Sequence, residues 1–313
     1  MLTRRHIRVK TMQSLYAFEQ TKNDNINVEE KFLLKSMDAM YDLFLLNLSL
    51  FVEVKQVAET FMEKSQQKHL ATDDDKNPNR NFVDNKIVQL IENSEKINLL
   101  LEQRKLTHWK RNDEYVHIIW EAIKSSEIYS EYLQTKNSSF KEDKDFIISI
   151  FKEIIAPNEK LYDFLEDNKL TWVDDLPIVN TAILKMLQKI KPADETIEIP
   201  RLFKNMEDRD FAIELFRQTL LNNENFEKDI FGKTPNWDTE RIADLDNVLL
   251  KMAICEFLRF PSIPVKVTIN EYLEIAKEYS TPKSSIFING VLDKLSKEYK
   301  VEDKLNKIGR GLM

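Results

Sequence analysis

The sequence predicts an all-α protein, and three observations carry that prediction. Glycine is almost absent: among 313 residues only Gly232, Gly290, Gly309 and Gly311 are glycines. Leu, Ile, Ala, Lys and Glu recur at i, i+3 and i+4 nearly throughout, which is the period of an amphipathic helix. Strict apolar–polar alternation over the length of a strand is rare. Apolar residues at 42% and charged residues at 32% allow one large core or two smaller ones, and are too apolar for a disordered chain.

The first helix falls within residues 1–20, with Thr3 as its N-cap. Val9, Met12 and Tyr16 share one face, with Leu15 beside them, and Arg4, Arg5 and Arg8 gather on another. With Lys10 they place four cations near a helix N-terminus before the first acidic residue, Glu19. The macrodipole is already positive there, so each charge is unfavourable by about 0.3–1 kcal/mol. A fold gains nothing from that arrangement, whereas a phosphate-binding surface does. A merely solvated basic terminus is the competing reading.

Punctuation follows in order. Residues 65–80 and 136–144 are polar and read as loops, and 191–200, with two prolines, reads as a linker. Trp237-Asp-Thr-Glu-Arg241 opens a helix capped by Asp238 or Thr239, apolar on three sides and stopped by Pro261 and Pro264. Residues 265–280 form the next helix. Ser280-Thr281-Pro282 caps the last one, with proline in its first turn. Asn270 and Asn289 sit in apolar runs and are expected to be buried and hydrogen-bonded. Gly290, within a helix, predicts a close helix–helix approach. Trp172, Trp237 and Phe287 are read as core, and Cys255 as a small buried hydrophobe.

Several chemistries are excluded or disfavoured. Residues 1–231 hold no glycine, so neither GxGxxG nor GxxxxGK[ST] can be written and no Gly-rich loop cradles a phosphate. A single cysteine allows no intramolecular disulfide and no Cys-cluster metal site. His6, His69, His108 and His117 never stand at i, i+3 or i+4, so no HExxH-type zinc helix exists. Asp73–Asp75 and Asp174-Asp175 lie in turn-like stretches and read as solvated, not as acid–base pairs. The expectation is a non-enzyme without metal or cofactor. The longest apolar-rich run, Phe44 to Val54, is broken by Asn47, Ser49 and Glu53 and is too short for a membrane span. With no apolar signal-peptide core at the N-terminus, a reducing cytoplasm is the default compartment.

Charge is unevenly spread. Residues 1–40 hold 7 basic and 5 acidic side chains, and 201–313 hold 18 and 19; the whole chain carries -7, so 41–200 carries -8. An internal repeat is also visible. Asp143-Lys-Asp-Phe146 and Phe151-Lys152 recur 65 residues later as Asp208-Arg-Asp-Phe211 and Phe216-Arg217, and Trp172 recurs as Trp237. After a one-residue slip, Ile183–Met186 matches Leu249–Met252. One unit would be helix, Trp-bearing loop, helix.

Two separated strings resemble the NusB family of transcription antitermination factors. At the N-terminus, Arg4 to Tyr16 follows R-R-x-x-R-x-x-x-x-Q-x-L-Y. Near the C-terminus, after Glu256-Phe257, Ile263 to Lys277 follows I-P-x-x-V-x-I-N-E-x-x-x-x-A-K and Phe287 to Asp293 follows F-[VI]-N-G-[VI]-L-[DN]. The resemblance implies a NusB-like bundle: residues 1–40 as basic helix and start of the core, 41–200 as an acidic helical insertion, 201–313 as the remaining core. It implies binding of a boxA-type single-stranded RNA, as in ribosomal RNA leaders. It also implies the small-subunit ribosomal protein NusE and the RNA polymerase elongation complex as partners. Carried over position by position, the RNA surface would comprise Arg4, Arg5, Arg8, Gln13, Tyr16, Lys283, Ser284 and Phe287. Two departures stand out: Ile286 replaces a residue that can be basic in the family, and Lys283 one that can be acidic. An RNA methyltransferase carrying a NusB-like domain would need a Gly-rich cofactor domain and catalytic cysteines that this chain lacks. The alternative reading is a helical protein-interaction scaffold with little or no RNA binding.

Overall fold

The computed structural model describes residues 1–21, 25–70, 72–232 and 243–312. Among these there is no β-strand. The helices in chain order are α1 (Arg4–Thr21), α2 (Ile26–Gln66), α3 (Asp73–Lys76), α4 (Lys86–Glu92), α5 (Glu95–Gln103), α6 (His108–Arg111), α7 (Asp113–Lys124), α8 (Glu127–Tyr132), α9 (Phe140–Ile150), α10 (Glu159–Asn168), α11 (Leu176–Lys189), α12 (Met206–Leu221), α13 (Asn223–Phe231), α14 (Asp244–Arg259), α15 (Val265–Tyr279) and α16 (Ser284–Val301). A π-helical turn, Phe151–Ile155, follows α9, and 3-10 turns cover Leu170–Trp172 and Gly309–Leu312. Residues Leu2–Met37 and Leu202–Met313 form one compact unit, and Asp38–Arg201 with Met1 forms the other.

The 41-residue α2 contains neither Gly nor Pro, so nothing interrupts its ladder. Leu43, Phe44, Leu45, Leu46 and Leu48 are all fully buried, which marks a helix enclosed on several sides. Elsewhere caps set the boundaries. Thr3 accepts from the His6 amide at 3.4 Å, and His6 Nδ1 accepts from the Thr3 amide at 3.3 Å, so α1 starts where the sequence indicates. Residues 136–144 are only in part a loop: α9 begins at Phe140 because Ser139 and Glu142 close a capping box. A second box, Thr72 with Asp75, folds one helical turn into the 65–80 segment. Both were legible as S/T-x-x-D/E, and polar composition hid them. The expected cap of the last helix is also different. Ser280 Oγ donates to Asp246 Oδ1 at 2.6 Å, and α16 starts at Ser284 with no side-chain cap.

The repeated Asp-x-Asp-Phe string has one structural job in both places. In the Leu202–Met313 segment, Asp208 lies in the first turn of α12 and accepts from Arg4 Nε at 3.1 Å, while the Arg4 guanidinium covers the Phe211 ring at 4.7 Å. In the Asp38–Arg201 unit, Asp143 lies in the first turn of α9 and accepts from the Tyr132 hydroxyl at 2.6 Å, while the Tyr132 ring stacks on Phe146 at 4.0 Å. Each buried carboxylate thus has a donor whose planar group also covers the phenylalanine one turn on. Phe151 and Phe216 are both fully buried. Trp172 is buried with its Nε1 donating to the Ala39 carbonyl at 2.8 Å; Trp237, Asp238, Thr239 and Arg241 lie outside the described residues. Replacing Tyr132 by Phe keeps the stack and removes a donor to a buried anion. The Y132F variant should lose about 1.5–3 kcal/mol in urea unfolding, and a loss within experimental error would remove Asp143 from this role.

Candidate functional site

The site is built outward from one buried ion pair. Arg8 sits at the second turn of α1 with its side chain 3% exposed. Its Nε donates to Glu256 Oε1 at 2.5 Å and its second nitrogen to Oε2 at 2.9 Å. Glu256, on α14 and fully buried, also accepts from the Tyr272 hydroxyl at 2.8 Å and the Thr268 hydroxyl at 3.1 Å, both on α15. Four hydrogen bonds therefore satisfy this carboxylate. Burial is the largest single influence on the Arg8 pKa and lowers it, but the attraction and hydrogen bond of Glu256, with Tyr272 and Glu271, together outweigh it and the net direction is upward. Burial, reinforced by Glu256, holds the Tyr272 phenol well above its usual range. The outer rim repeats the theme. Arg5 donates to both oxygens of Glu271, at 3.0 and 2.8 Å, and that bond holds the Glu271 carboxyl below its ordinary range.

These placements sort the arginines. Arg8 lies inside, whereas the side chains of Arg4 and Arg5 are 37% and 43% exposed. All three meet carboxylates, so the fold does gain from the cationic cluster, contrary to the expectation from the helix alone. The carboxylate partners, Asp208, Glu256 and Glu271, were not predicted as such; Glu256 alone carried a clear signal, an acidic side chain between Cys255 and Phe257 in an apolar run, whereas Asp208 stands among charged neighbours. A second buried cation escaped notice too: Lys251, 2% exposed, reaches Glu19 at 2.9 Å and Glu227 at 2.7 Å. Of the remaining positions, Tyr16 is exposed and Gln13 half-buried on α1. At the start of α16 Lys283 is exposed and Phe287 half-buried, while Ser284 is buried with its hydroxyl 2.9 Å from that of Ser280 and 2.8 Å from that of Thr281.

Two expectations are corrected on this face. Asn270 and Asn289 are exposed, not buried. Gly290 is exposed, and a Cβ built there would meet nothing within 4 Å, so no helix approaches it. In both motifs the asparagine faces outward while Tyr272, Ile275, Ile288 and Leu292 are buried. Beyond α16 the C-terminal segment returns to α14: Lys307 Nζ donates to the Glu256 and Phe260 carbonyls at 3.1 and 3.0 Å, and burial pushes its pKa down to about 8. Cys255 is sealed in the core, with burial raising its thiol to about 12, so it is no nucleophile.

A family model described as the NusB family matches residues 182–297. The transcription antitermination protein NusB of Koribacter versatilis is 43% identical over 103 residues, 32% of this chain and 70% of that protein. The chain belongs to the NusB family. Its NusB-like part is also similar to the proteins of the same description from Salinibacter ruber, 47% identical over 105 residues, and Chloroherpeton thalassium, 41% identical over 105 residues. The chain spans 66% and 50% of those two proteins, and each match covers 34% of the chain. The family-model match takes in α12 to α15 and most of α16 of this NusB-family chain; α1, with Arg4, Arg5 and Arg8, lies outside it.

Removing Arg8 leaves Glu256 buried without its counter-charge. Arg8→Met should cost about 3–5 kcal/mol in denaturant unfolding, and the double variant Arg8→Met/Glu256→Leu should recover most of it. A cost below about 1 kcal/mol would deny Arg8 this role. Glu271 gives a pH signature. Its folded pKa is depressed, so its stabilisation is present above the ordinary carboxylate range and is lost as pH falls through the folded value. Arg5→Gln should therefore flatten the decline in stability between neutral pH and the acid limit, read from unfolding midpoints across pH; an unchanged slope would refute the coupling.

Proposed function

We propose that this chain is an RNA-binding transcription antitermination factor. The reading assigns it a boxA-type single-stranded RNA, bound together with a small-subunit ribosomal protein of the NusE kind within the RNA polymerase elongation complex. The observation that carries it is the kinship with proteins described as transcription antitermination protein NusB. The local chemistry supports it. Arg4 and Arg5 keep part of their guanidinium groups accessible on a helix made rigid by the Arg8–Glu256 pair. Tyr16, 38% exposed, offers a stacking face for an unpaired base. Exposed Lys283 adds a phosphate partner beside the start of α16, where Phe287 is half-buried. Arg8 acts in this scheme as a positioning residue, and Ser284 as part of the turn that presents Lys283. RNA would compete with Glu271 for Arg5, exchanging one anion for another on a pre-oriented fork. The action is adhesive: phosphates are gripped, splayed bases are stacked or read at their edges, and no bond is made or broken.

One observation favours the scaffold reading instead. Every α1 arginine already has a carboxylate partner, which lowers the local positive field. Fluorescence anisotropy with a labelled boxA-type RNA and a scrambled control, at two salt concentrations and with or without the ribosomal protein, separates the readings. The expected result is preference for boxA, strengthened by the protein and weakened by salt. Arg5→Glu/Lys283→Glu should lower boxA affinity by about tenfold or more with the helical circular dichroism unchanged. Equal or absent binding to both RNAs with the ribosomal protein present would establish the scaffold reading.

A further inference from the structure

The Asp38–Arg201 unit contains a cavity of about 290 Å³ that the antitermination reading does not use. Much of its wall is apolar, with Ile155, Leu161, Leu165 and Leu176 all buried in the lining, and its polar members are neutral: Asn47, Asn158, Asn180 and Tyr162. No carboxylate, ammonium or guanidinium is among the lining side chains, so an ionised ligand would enter without a counter-charge. Tyr162, 38% exposed, lies at the lining as well.

One buried polar group lines this space with its capacity unfilled. Asn47 on α2 is 2% exposed. Its amide nitrogen donates to the Leu43 carbonyl at 3.0 Å, which orients the group. Its Oδ1 accepts from none of the described residues, yet it is not among the polar atoms sealed away without a partner. Asn47 is one of the residues that line the cavity, so this acceptor has no donor from the described residues where the lining is formed. A buried amide oxygen is costly to leave without a donor, and a fold tolerates one where something else supplies the donor.

The backbone at the cavity wall is a second, independent observation. The helix that begins as α9 opens at Phe151–Ile155 into a π-turn, closed by the Ala156 amide donating to the Phe151 carbonyl at 2.8 Å. The corresponding phenylalanine of the repeat, Phe216, lies within the regular α-helix α12. The departure is thus peculiar to the copy that bounds the cavity, through Ile155 and Ala156. Such single π-turns are rare and occur frequently at sites of function.

We infer that this cavity binds a small neutral molecule with an apolar, flat or compact body and one N–H or O–H donor, which is received by Asn47 Oδ1. Its volume suits a ligand of one or two rings, near the lower limit of small-molecule sites. The inference does not depend on RNA binding and would stand if that reading fell.

Indole and 1-methylindole are the matched probes, because they differ only at the ring nitrogen, where a methyl group replaces the N–H donor. Titration calorimetry and saturation-transfer NMR on the full chain should show millimolar or tighter binding of indole, and binding of 1-methylindole weaker by about tenfold. Asn47→Leu should remove that discrimination, and Asn180→Trp, which narrows the cavity from its rim, should abolish both. Circular dichroism checks that each variant is folded. Absence of indole binding to the wild type would mean that water alone meets Asn47 and would overturn the proposal. So would equal affinity for the two probes, a comparison made on the wild-type chain that needs no variant. Indole binding unchanged in folded Asn47→Leu and Asn180→Trp would place it elsewhere and equally overturn it.

Discussion

The unit that carries the family signature depends on the pair between Arg8 and Glu256. It joins α1 to α14, and through Thr268 and Tyr272 it reaches α15. Two charges withdrawn from water are a poor source of stability unless every lone pair and N–H finds a partner. Here the carboxylate is surrounded by donors and the guanidinium lies over the Phe211 and Tyr272 rings, at 5.3 and 5.9 Å. The value of such a pair is its selectivity. Only one register of α1 against α14 and α15 satisfies it, so the helix that bears Arg4 and Arg5 is held in one orientation.

That orientation is what makes the outer arginines useful. Arg4 and Arg5 are tethered at one end by Asp208 and Glu271 and remain partly open to solvent. A tethered guanidinium loses less side-chain entropy when it meets a phosphate than a free one does. It also presents less net charge. On the proposed reading, the same geometry would favour specific RNA contacts over nonspecific attraction to polyanions.

The Asp38–Arg201 unit solves a similar packing problem with different chemistry. Tyr132 does for Asp143 and Phe146 what Arg4 does for Asp208 and Phe211. A phenol donates one hydrogen bond and brings no charge, so the first-turn aspartate there is met by a neutral donor and not by a cation. The substitution of a neutral donor for a cation fits a segment whose side chains sum to -8 and in which the guanidinium cluster of α1 has no counterpart at this position.

The helical class, the extents of α1, α15 and α16 to within a few residues, and the family itself were legible in the sequence. All rest on local information: the helical period, near-absence of glycine, capping residues and short strings of fixed spacing. The start of α9 at Phe140 was legible in principle through Ser139 and Glu142. What only the tertiary structure decided is which polar residues face inward. Arg8 and Arg5 stand three residues apart on one helix, and one is buried while the other is open. Asn270 and Asn289 sit in apolar strings and are exposed, and a Cβ at Gly290 would meet none of the described residues of other elements within 4 Å. A helix has one period whether a given side chain meets water or a carboxylate 248 residues away. Sequence spacing reports the period, and the burial of a charge depends on partners that only the folded chain brings within hydrogen-bond reach.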